Sequence, residues 1–372
     1  MLKYAMIGGG EGAFIGDVHR RAIRFDGRAS LVAGSFSRDE GNNIKTGKSL
    51  FLDPERVYSS YEELISSEKE LDFIVIVTPN NLHYPIAKMC LENRINVVCE
   101  KPVTVTLDEA LELKKLSEKN KCHFAVTYTY TGYPMVKEMK SLIDEGRLGK
   151  LRFVKADCPE AWMAEKVEEM GNRQAQWRAD PAQGGKTNCL GDIGIHIENL
   201  VSYVTGLKIR KVCAVVDKFV EGRKLDDNAV VMVEYETGAK GLYWLSYIAI
   251  GHGNGMKIEI YGSNGSVVWV QEQPNELIYT ALNEPSNILK RGAAYLSPLQ
   301  KENTRLPEGH PEGYYEALSN IYNYFFDELQ SKRSPIKDGK YKFPTLKDGV
   351  ESLLFVKRSL ESAENNSCWV EK

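Results

Sequence analysis

The chain has 372 residues, of which 42% are hydrophobic and 27% charged, and its 48 lysines and arginines nearly balance its 51 aspartates and glutamates. That length predicts two domains, and the balanced charge argues against a nucleic-acid or membrane-surface binder, which would carry a basic excess. No apolar run is long enough to span a bilayer and no signal-peptide pattern opens the chain, so we expect a cytoplasmic protein that binds neither membrane nor nucleic acid. The seven cysteines are odd in number and never spaced as CxxC, which predicts reduced, mostly buried thiols.

The first part of the chain alternates apolar strands with helices. Strands are predicted at 4–10, 29–35, 71–77, 95–98 and 123–127, and the leucines of 107–120 indicate an amphipathic helix that packs on a sheet. Turn residues follow each strand, as in Thr78-Pro79-Asn80 and Glu100-Lys101-Pro102. This order predicts an α/β fold with a doubly wound parallel sheet, in which ligands bind at the carboxyl ends of the strands.

The pattern changes after about residue 127. Helices are predicted at 134–145 and 192–205, and a strand at 151–156. From 211 to 270 consecutive β-branched and aromatic segments alternate with tight turns, which predicts a large, open-faced, mostly antiparallel sheet. Two further helices are expected at 313–331 and 345–364. We therefore predict domains at 1–127 and 128–372, with the helix 345–364 able to pack back on the first domain.

Glycines close the first predicted strand and favour a dinucleotide site. They allow a tight turn and a close approach to a pyrophosphate, whose charge meets the N–H groups at the next helix start. The simple GxGxxG spacing would need a glycine where the chain has Ala13, so either Gly12 or Ala13 serves instead, or the loop is lengthened before Gly16. A tight loop without a ligand is the alternative. The residues predicted to contact the dinucleotide here are Gly8, Gly10, Phe14 and Ile15.

The end of the second strand selects the cofactor. An acidic residue there favours NAD, whereas a small residue beside an arginine accommodates the 2′-phosphate of NADP. We take Ser37 and Arg38 as this tip and predict NADP, slightly favoured over NAD. The alternative is that Arg38 pairs with Asp39 in solvent and the site admits NAD.

A glycine-rich segment, 184–196, leads into a predicted helix that carries Asp192 and His196. Four residues apart, they project from one helix face, where a carboxylate orients an imidazole and suits it to act as a general base. Taken alone, such a pair is more often structural or occasionally binds metal. No third ligand follows at a diagnostic spacing, so no metal site is predicted.

Taken together, these segments resemble the Gfo/Idh/MocA oxidoreductase family over nearly the whole chain. The resemblance is carried, in order, by IGGG…FIGDVHRRA at 7–22, TPNNLHYPIA at 78–87, EKPVTVTLDEA at 100–110, IDEGRLGKLRFV at 143–154, QWRADPAQGG at 176–185 and GDIGIH at 191–196. It implies a Rossmann domain followed by an α+β domain whose large sheet forms a homodimer or homotetramer interface. The longer glycine loop and the Ser37-Arg38 tip depart from the family pattern.

The resemblance also implies roles for single residues. Lys101 matches the family's catalytic lysine, and Asp192 and His196 match its second catalytic pair. Pro102 is expected to follow a cis peptide bond. The remaining implied cofactor contacts are Thr78, Pro79, Asn80, His83 and Glu100 along the nicotinamide, and Trp177 and Arg178 in a loop that closes over cofactor and substrate.

We therefore expect an NAD(P)-dependent dehydrogenase or reductase that acts on a hydroxyl or ketone carbon of a cyclic polyol or sugar. His196 is assigned as base, Asp192 as its orienting partner and Lys101 as the cation that stabilises alkoxide charge. The predicted substrate contacts are Lys101, Tyr130, Asn188, Asp192 and His196, with Tyr128, Tyr133 and Trp162 as further candidates. The alternatives are a redox-assisted glycosidase that retains its cofactor, and a non-enzymatic sensor that binds cofactor and a partner protein.

Overall fold

The computed structural model describes residues 1–331 and 341–371. The chain divides into two compact units, a first unit of residues 1–129 with 318–350 and a second unit of residues 130–317 with 351–372. Residues 318–350 lie in the range that the sequence assigned to the second domain. They join the first unit because Phe325 and Phe326 pack against Phe73, with ring centroids 5.5 and 5.6 Å apart.

The first unit is built on a five-stranded parallel sheet of order β2-β1-β3-β4-β5. Its elements are β1 (Leu2–Gly8), α1 (Phe14–Arg24), β2 (Ala29–Ser35), α2 (Glu40–Ser49), α3 (Tyr61–Ser67), β3 (Phe73–Val77), α4 (His83–Glu92), β4 (Asn96–Cys99), α5 (Leu107–Asn120) and β5 (Phe124–Val126). This is the predicted Rossmann arrangement, which is confirmed. The strand order reverses beside β1, and such a switch point opens a crevice for ligands.

The central strand β3 is a continuous run of apolar residues, a pattern that predicts a buried strand. All five residues of β3 are buried, as expected for a parallel strand covered on both faces. Tyr4 of β1 stacks on Phe73, with centroids 5.2 Å apart. The helix α5 begins at a capping box, in which Thr106 and Glu109 each accept a backbone N–H of the other. Local signals and core packing therefore agree along the first unit.

The second unit is built on a nine-stranded sheet of order β13-β12-β11-β10-β6-β9-β8-β7-β14. Its elements are α6 (Pro134–Asp144), β6 (Leu151–Pro159), α7 (Arg173–Ala179), α8 (Pro181–Gly184), α9 (Ile195–Thr205), β7 (Ile209–Asp217), β8 (Asn228–Tyr235), β9 (Lys240–Ser246), β10 (Lys257–Gly262), β11 (Gly265–Val270), β12 (Glu276–Ala281), β13 (Asn287–Lys290), α10 (Pro298–Glu302), α11 (Tyr314–Ser331), α12 (Leu346–Glu364) and β14 (Val370–Glu371). The helices α11 and α12 each contribute residues to both units.

The predicted mostly antiparallel sheet is confirmed, with β6 and β9 as its parallel pair. The sequence ended the sheet at residue 270, whereas β12, β13 and β14 extend it. These strands were missed because they are only six, four and two residues long, and because prolines and asparagines stand next to β12 and β13. The core-facing members of β12, Leu277 and Tyr279, are nevertheless 0% and 7% exposed.

The two faces of the nine-stranded sheet differ in how far their side chains are buried. One cross-strand row, Val233, Val154, Ile260 and Val267, is almost completely buried. The next row leaves apolar side chains exposed, with Met232 at 45%, Ile278 at 38% and Ile288 at 54%. At the centre of that second row Lys155 pairs with Glu259 at 3.3 Å. We call this exposed side the open face of the sheet.

All seven cysteines lie within the described residues and are free thiols, six of them buried and Cys368 exposed. None of the described helices combines the length and apolar character needed to cross a membrane. Across residues 1–331 and 341–371 there is no group of His, Cys, Asp and Glu side chains that could hold a metal ion.

Candidate active site

The glycine loop after β1 depends on close backbone packing. Gly8 and Gly9 have φ angles of +87° and +73°, which favour glycine. A Cβ on Gly16 would lie 2.4 Å from the Cα of Gly9, so α1 crosses this loop at van der Waals contact between backbones. Gly16 therefore supplies the close helix contact expected of the third glycine in GxGxxG. The loop before Gly16 is longer than in that motif, so position 13 need not be glycine. Gly12, with φ +86°, has open space where a side chain would stand.

Side chains of α1 and α2 fix the backbone of this loop. Arg20 donates to the carbonyl of Gly9 at 2.8 Å. From α2, Thr46 accepts the Glu11 N–H at 2.9 Å and Asn42 donates to the Glu11 carbonyl at 3.0 Å. The predicted contacts Phe14 and Ile15 open α1, and no side chain of the described chain caps that helix. Its first N–H groups are therefore suited to an anion.

The tip of β2 carries the residues predicted to read the adenosine ribose. Ser37 is half-buried and Arg38 is exposed. Asp39 caps α2, because its carboxylate accepts the Asn42 N–H at 2.7 Å. Among residues 1–331 and 341–371, Arg38 forms no ion pair with Asp39. The acidic side chain nearest the tip is thus used by the protein itself.

The end of β3 contributes a short polar turn. Asn80 is 7% exposed, and the Thr78 hydroxyl oxygen is buried without a hydrogen bond to any described residue. His83 is fully buried, with Nδ1 2.7 Å from the Pro102 carbonyl and Nε2 2.9 Å from the Thr78 carbonyl. Burial lowers the pKa of this imidazole. His83 therefore lies between the backbones of two loops at the edge of the sheet, where its single N–H can donate to either carbonyl.

The end of β4 carries Glu100 and Lys101, followed by Pro102. The Lys101–Pro102 peptide is cis, as the resemblance implied. Glu100 is 8% exposed, and its carboxylate accepts the Lys101 backbone N–H at 3.2 Å. The same carboxylate accepts hydrogen bonds from His19 and Thr127. Predicted cofactor residues from four neighbouring strands thus meet at one edge of the parallel sheet.

In the second unit, a buried carboxylate organises the loop before α9. Asp226 accepts the Thr187 hydroxyl at 2.5 Å and the backbone N–H groups of Asn188 and Leu190 at 2.7 Å. Burial raises the pKa of the Asp226 carboxyl, although these hydrogen bonds oppose the shift. The residues Leu190–Gly194 form one π-helical turn that runs into α9. Such turns are rare and occur often at functional sites.

The carboxylate of Asp192 lies within this π-helical turn and has two side-chain donors. The Nε of Arg178 lies 2.9 Å from Asp192 Oδ2, and the Tyr247 hydroxyl donates to the same oxygen at 2.5 Å. The Arg178 guanidinium stacks over the Trp177 ring, 4.1 Å from its centroid. Trp162 packs edge-on against Tyr247, with centroids 5.2 Å apart. The predicted loop residues Trp177 and Arg178 and the predicted catalytic Asp192 therefore form one cluster with Tyr247 and Trp162.

His196 is the second residue of α9 and is 8% exposed. The ring of Tyr130 stands at 90° to it, with centroids 4.9 Å apart, and the Tyr130 hydroxyl hydrogen-bonds to Asn254. Asn188 is 2% exposed, and its Oδ1 is buried without a hydrogen bond to any described residue. Among the other candidates, Tyr133 stacks near Trp269 and bonds to Gln271, and Tyr128 is 1% exposed, so both contribute packing.

Sequence reasoning missed several residues that hold these groups. His19 and Thr127 contact Glu100, while Asp226 and Tyr247 contact the segment around Asp192. His19 lies within the quoted motif FIGDVHRRA, and its place on the buried face of α1 was a usable signal. Nothing in the local sequence of Asp226 or Tyr247 indicates which distant residue it contacts.

Comparison with known proteins matches two family models to successive parts of the chain. Residues 2–128 match the family model of an oxidoreductase family with an NAD-binding Rossmann fold, and residues 136–268 match the GFO/IDH/MocA C-terminal domain. YfiI, an uncharacterized oxidoreductase of Bacillus subtilis (strain 168), is 34% identical over 379 residues, covering 100% of this chain and 96% of the relative.

Solved structures are similar over the whole chain. An inositol dehydrogenase homologue complexed with NAD+ from Azotobacter vinelandii has a TM-score of 0.94 at 34% identity, with 100% of this chain and 97% of that chain covered. An oxidoreductase from Sinorhizobium meliloti has a TM-score of 0.89 at 38% identity, with 100% and 99% covered.

Proposed function

Because this chain belongs to the Gfo/Idh/MocA family of NAD-binding oxidoreductases, we propose that it oxidises or reduces a ring carbon of a neutral cyclic polyol or sugar. The observation that carries the proposal is the cluster around Asp192, in which a carboxylate held by two donors precedes His196 by one helical turn. A carboxylate and an imidazole so arranged are suited to bind a hydroxyl group and to remove its proton.

The first unit has features that fit a nicotinamide dinucleotide. The Gly9–Gly16 contact brings the uncapped start of α1 to the loop, and Gly12 leaves space for a pyrophosphate. The buried hydroxyl of Thr78 has an unused hydrogen-bonding position. When bound, the nicotinamide supplies the hydride chemistry. The residues proposed to hold the dinucleotide are Gly8, Gly10, Phe14, Ile15, Ser37, Arg38, Thr78, Pro79, Asn80, Glu100, Lys101, Trp177 and Arg178, with His83 fixing the backbone of Thr78 and Pro102.

In the proposed reaction, side chains of the protein accept the proton and stabilise the developing charge. His196 accepts the hydroxyl proton during oxidation, and Asp192 orients the imidazole and accepts a second substrate hydrogen bond. Lys101 places an ammonium beside the oxygen that gains negative charge. Arg178 and Tyr247 hold Asp192 in position, because each donates a hydrogen bond to its carboxylate.

A neutral polyol is the substrate class that the second unit supports best. Arg178, a cation of this cluster, is paired with Asp192 and therefore balanced in charge. Trp162 and Tyr130 offer aromatic surface for a sugar ring, and the unused Asn188 Oδ1 offers an acceptor for a hydroxyl. Two comparisons point the same way. The Azotobacter homologue, 33% identical, was solved with NADH and myo-inositol, and a 25% identical relative from Pseudarthrobacter phenanthrenivorans is a levoglucosan dehydrogenase.

The direct test is an absorbance assay of cofactor reduction with a panel of inositols, pyranoses and anhydrosugars. We expect turnover of at least one neutral cyclic polyol and none of its phosphorylated form. Hydrolysis of a glycoside in the presence of catalytic NAD would instead identify a redox-assisted glycosidase. Tight cofactor binding with no turnover on the whole panel would identify a sensor and overturn the proposal.

For the cofactor, we propose that the Ser37-Arg38 tip favours NADP over NAD. Asp39 is engaged as the cap of α2, so the exposed Arg38 is suited to a 2′-phosphate. The NAD+ and NADH in the Azotobacter structures argue for the other dinucleotide. Comparing kcat/KM for both cofactors decides the question, and Arg38→Ala is expected to lower kcat/KM for NADP about tenfold while leaving that for NAD unchanged. If the wild type prefers NAD, the cofactor proposal is wrong, but the proposed reaction is not affected.

We further propose a homodimer or homotetramer formed through the open face of the sheet. Met232, Ile278 and Ile288 leave apolar area exposed there, around the Lys155–Glu259 pair. Sedimentation should give a dimer or larger for the wild type and a smaller species for Met232→Glu with Ile278→Glu. A monomeric wild type would contradict the proposal. The free, mostly buried thiols support a cytoplasmic location.

A further inference from the structure

His19 is a fully buried histidine whose two ring nitrogens are both engaged. Its Nε2 lies 2.9 Å from Glu100 Oε1, and its Nδ1 lies 2.6 Å from the Tyr322 hydroxyl. The rings of His19 and Tyr322 meet edge to face, with centroids 5.8 Å apart. Thr127 donates to the same carboxylate oxygen. A carboxylate offers only acceptors, so the Nε2 hydrogen of His19 points to Glu100.

This network lies next to the backbone of Lys101. The second carboxylate oxygen of Glu100 accepts the Lys101 N–H at 3.2 Å, and His83 contacts the Pro102 carbonyl at 2.7 Å. The peptide group that precedes Lys101 and the peptide group that follows Pro102 are therefore each contacted by a buried polar side chain. His19 belongs to α1, the helix whose first turn forms the glycine loop.

We propose that His19 is a positioning residue, which fixes Lys101 through the Glu100 carboxylate. It thereby ties residues 100–102, here called the lysine loop, to α1, the helix proposed to bind the dinucleotide. This inference rests on the function proposed above, because Lys101 receives its catalytic role there. His19 itself touches neither cofactor nor substrate in this account.

The proposed role of His19 can be measured through its effect on the pKa of Glu100. Burial raises the pKa of Glu100, but hydrogen bonding and charge from His19, and the charge of Lys101, outweigh burial and hold it at about 2. The titratable groups that face this carboxylate are His19 on α1, the neighbouring Lys101, Cys99 on β4, His83 on α4 and Tyr322 on α11. Without His19 the main opposing contribution is gone, so the pKa of Glu100 should rise.

Three variants test the proposal. His19→Leu removes the donor, His19→Gln keeps an N–H that can reach Glu100, and His123→Leu replaces another buried histidine of the same unit, 6% exposed, as the matched control. For His19→Leu we expect kcat to fall about 10- to 100-fold with less than about threefold change in the Kd for dinucleotide. His19→Gln should restore most of kcat at pH 8 but lose activity relative to wild type near pH 5.5. His123→Leu should keep the wild-type kcat.

A second measurement uses the protein without cofactor. The difference in Tm between wild type and His19→Leu should narrow as the pH falls from 7 to 5, because the isolated Glu100 carboxylate then gains a proton. A constant difference in Tm, or an unchanged kcat in both His19 variants while Lys101→Ala is inactive, overturns the inference. If His19→Leu does not fold, the pH profile of His19→Gln decides. Full activity of Lys101→Ala would instead refute the proposed function.

Discussion

The lysine loop of the first unit and the Asp192 cluster of the second are held in different ways. Lys101 is fixed through its backbone N–H, which donates to the Glu100 carboxylate, and that carboxylate is held in turn by His19 of α1. Asp192 is fixed through its side chain, by Arg178 on a seven-residue helix and by Tyr247 just after β9. The comparison teaches that the support of Lys101 depends on main-chain geometry and that of Asp192 on individual side-chain donors, so conservative substitutions should affect the two residues differently.

The largest effects are expected at the chemical groups themselves. Lys101→Ala and His196→Ala should each lower kcat by about 10²- to 10⁴-fold, because each removes charge stabilisation or the base. The Kd for dinucleotide, measured by fluorescence, should stay within about threefold of wild type. The exposed residues Lys119 and His310 provide matched alanine controls with normal kcat. Near-wild-type turnover in either active-site variant would remove the assigned role of that residue.

The donors to Asp192 come next. Arg178→Ala and Tyr247→Phe should each reduce kcat/KM about 10- to 100-fold, the effect of losing a hydrogen bond to a charged group. Arg173→Ala, an exposed position on the same helix α7, serves as the control and should be neutral. If Tyr247→Phe matched wild type at every substrate concentration, side-chain support of Asp192 would be disproved.

A smaller effect is expected from the backbone contact in the glycine loop. Gly16→Ala places a Cβ 2.4 Å from the Gly9 Cα and should cost about 1–3 kcal/mol of unfolding free energy, together with weaker dinucleotide binding. Gly12→Ala meets no atom and pays only for its positive φ, about 1 kcal/mol. Urea unfolding of both variants tests whether Gly16→Ala loses more unfolding free energy than Gly12→Ala. A Gly16→Ala protein as stable as wild type would show that the loop and helix can separate freely.

The smallest effect concerns acid stability. The pKa of Glu100 is about 2 in the folded protein, below its ordinary value of 4.5, so its ionised form stabilises the fold above about pH 4.5. That contribution is lost as the pH falls from about 4.5 toward 2. The stability difference between wild type and Glu100→Gln should therefore shrink over this range, as followed by urea unfolding at each pH. Glu118→Gln, at an exposed position, should track wild type throughout; a pH-independent difference for Glu100→Gln would refute the buried charge.

The two regions also differ in how far the sequence predicts them. The parallel sheet, the glycine loop and the cis peptide at Pro102 follow from local patterns and from family resemblance, because their residues are close in sequence to the elements they form. The contacts of Glu100 with His19 and of Asp192 with Tyr247 join residues 81 and 55 positions apart. Periodicity and turn signals carry no information on such pairs.

The outer strands of the second sheet show the same limit on the fold itself. Strands β12 and β13 are only six and four residues long and each begins with a polar or charged residue, so their pairing is decided by neighbours rather than by propensity. The family resemblance implies that His83 lines the nicotinamide. Its full burial between two carbonyl groups depends on packing that the motif does not specify.

The central claim is the proposal that Lys101 stabilises the developing charge and His196 accepts the proton in one reaction. A double-mutant cycle on kcat/KM tests it most directly, with Lys101→Ala, His196→Ala and the double variant assayed on the same polyol. Residues that act as one catalytic unit give strongly non-additive losses, so the double variant should lie within about tenfold of the weaker single variant. Losses that multiply in full would mean that the two residues work independently, and would contradict the account.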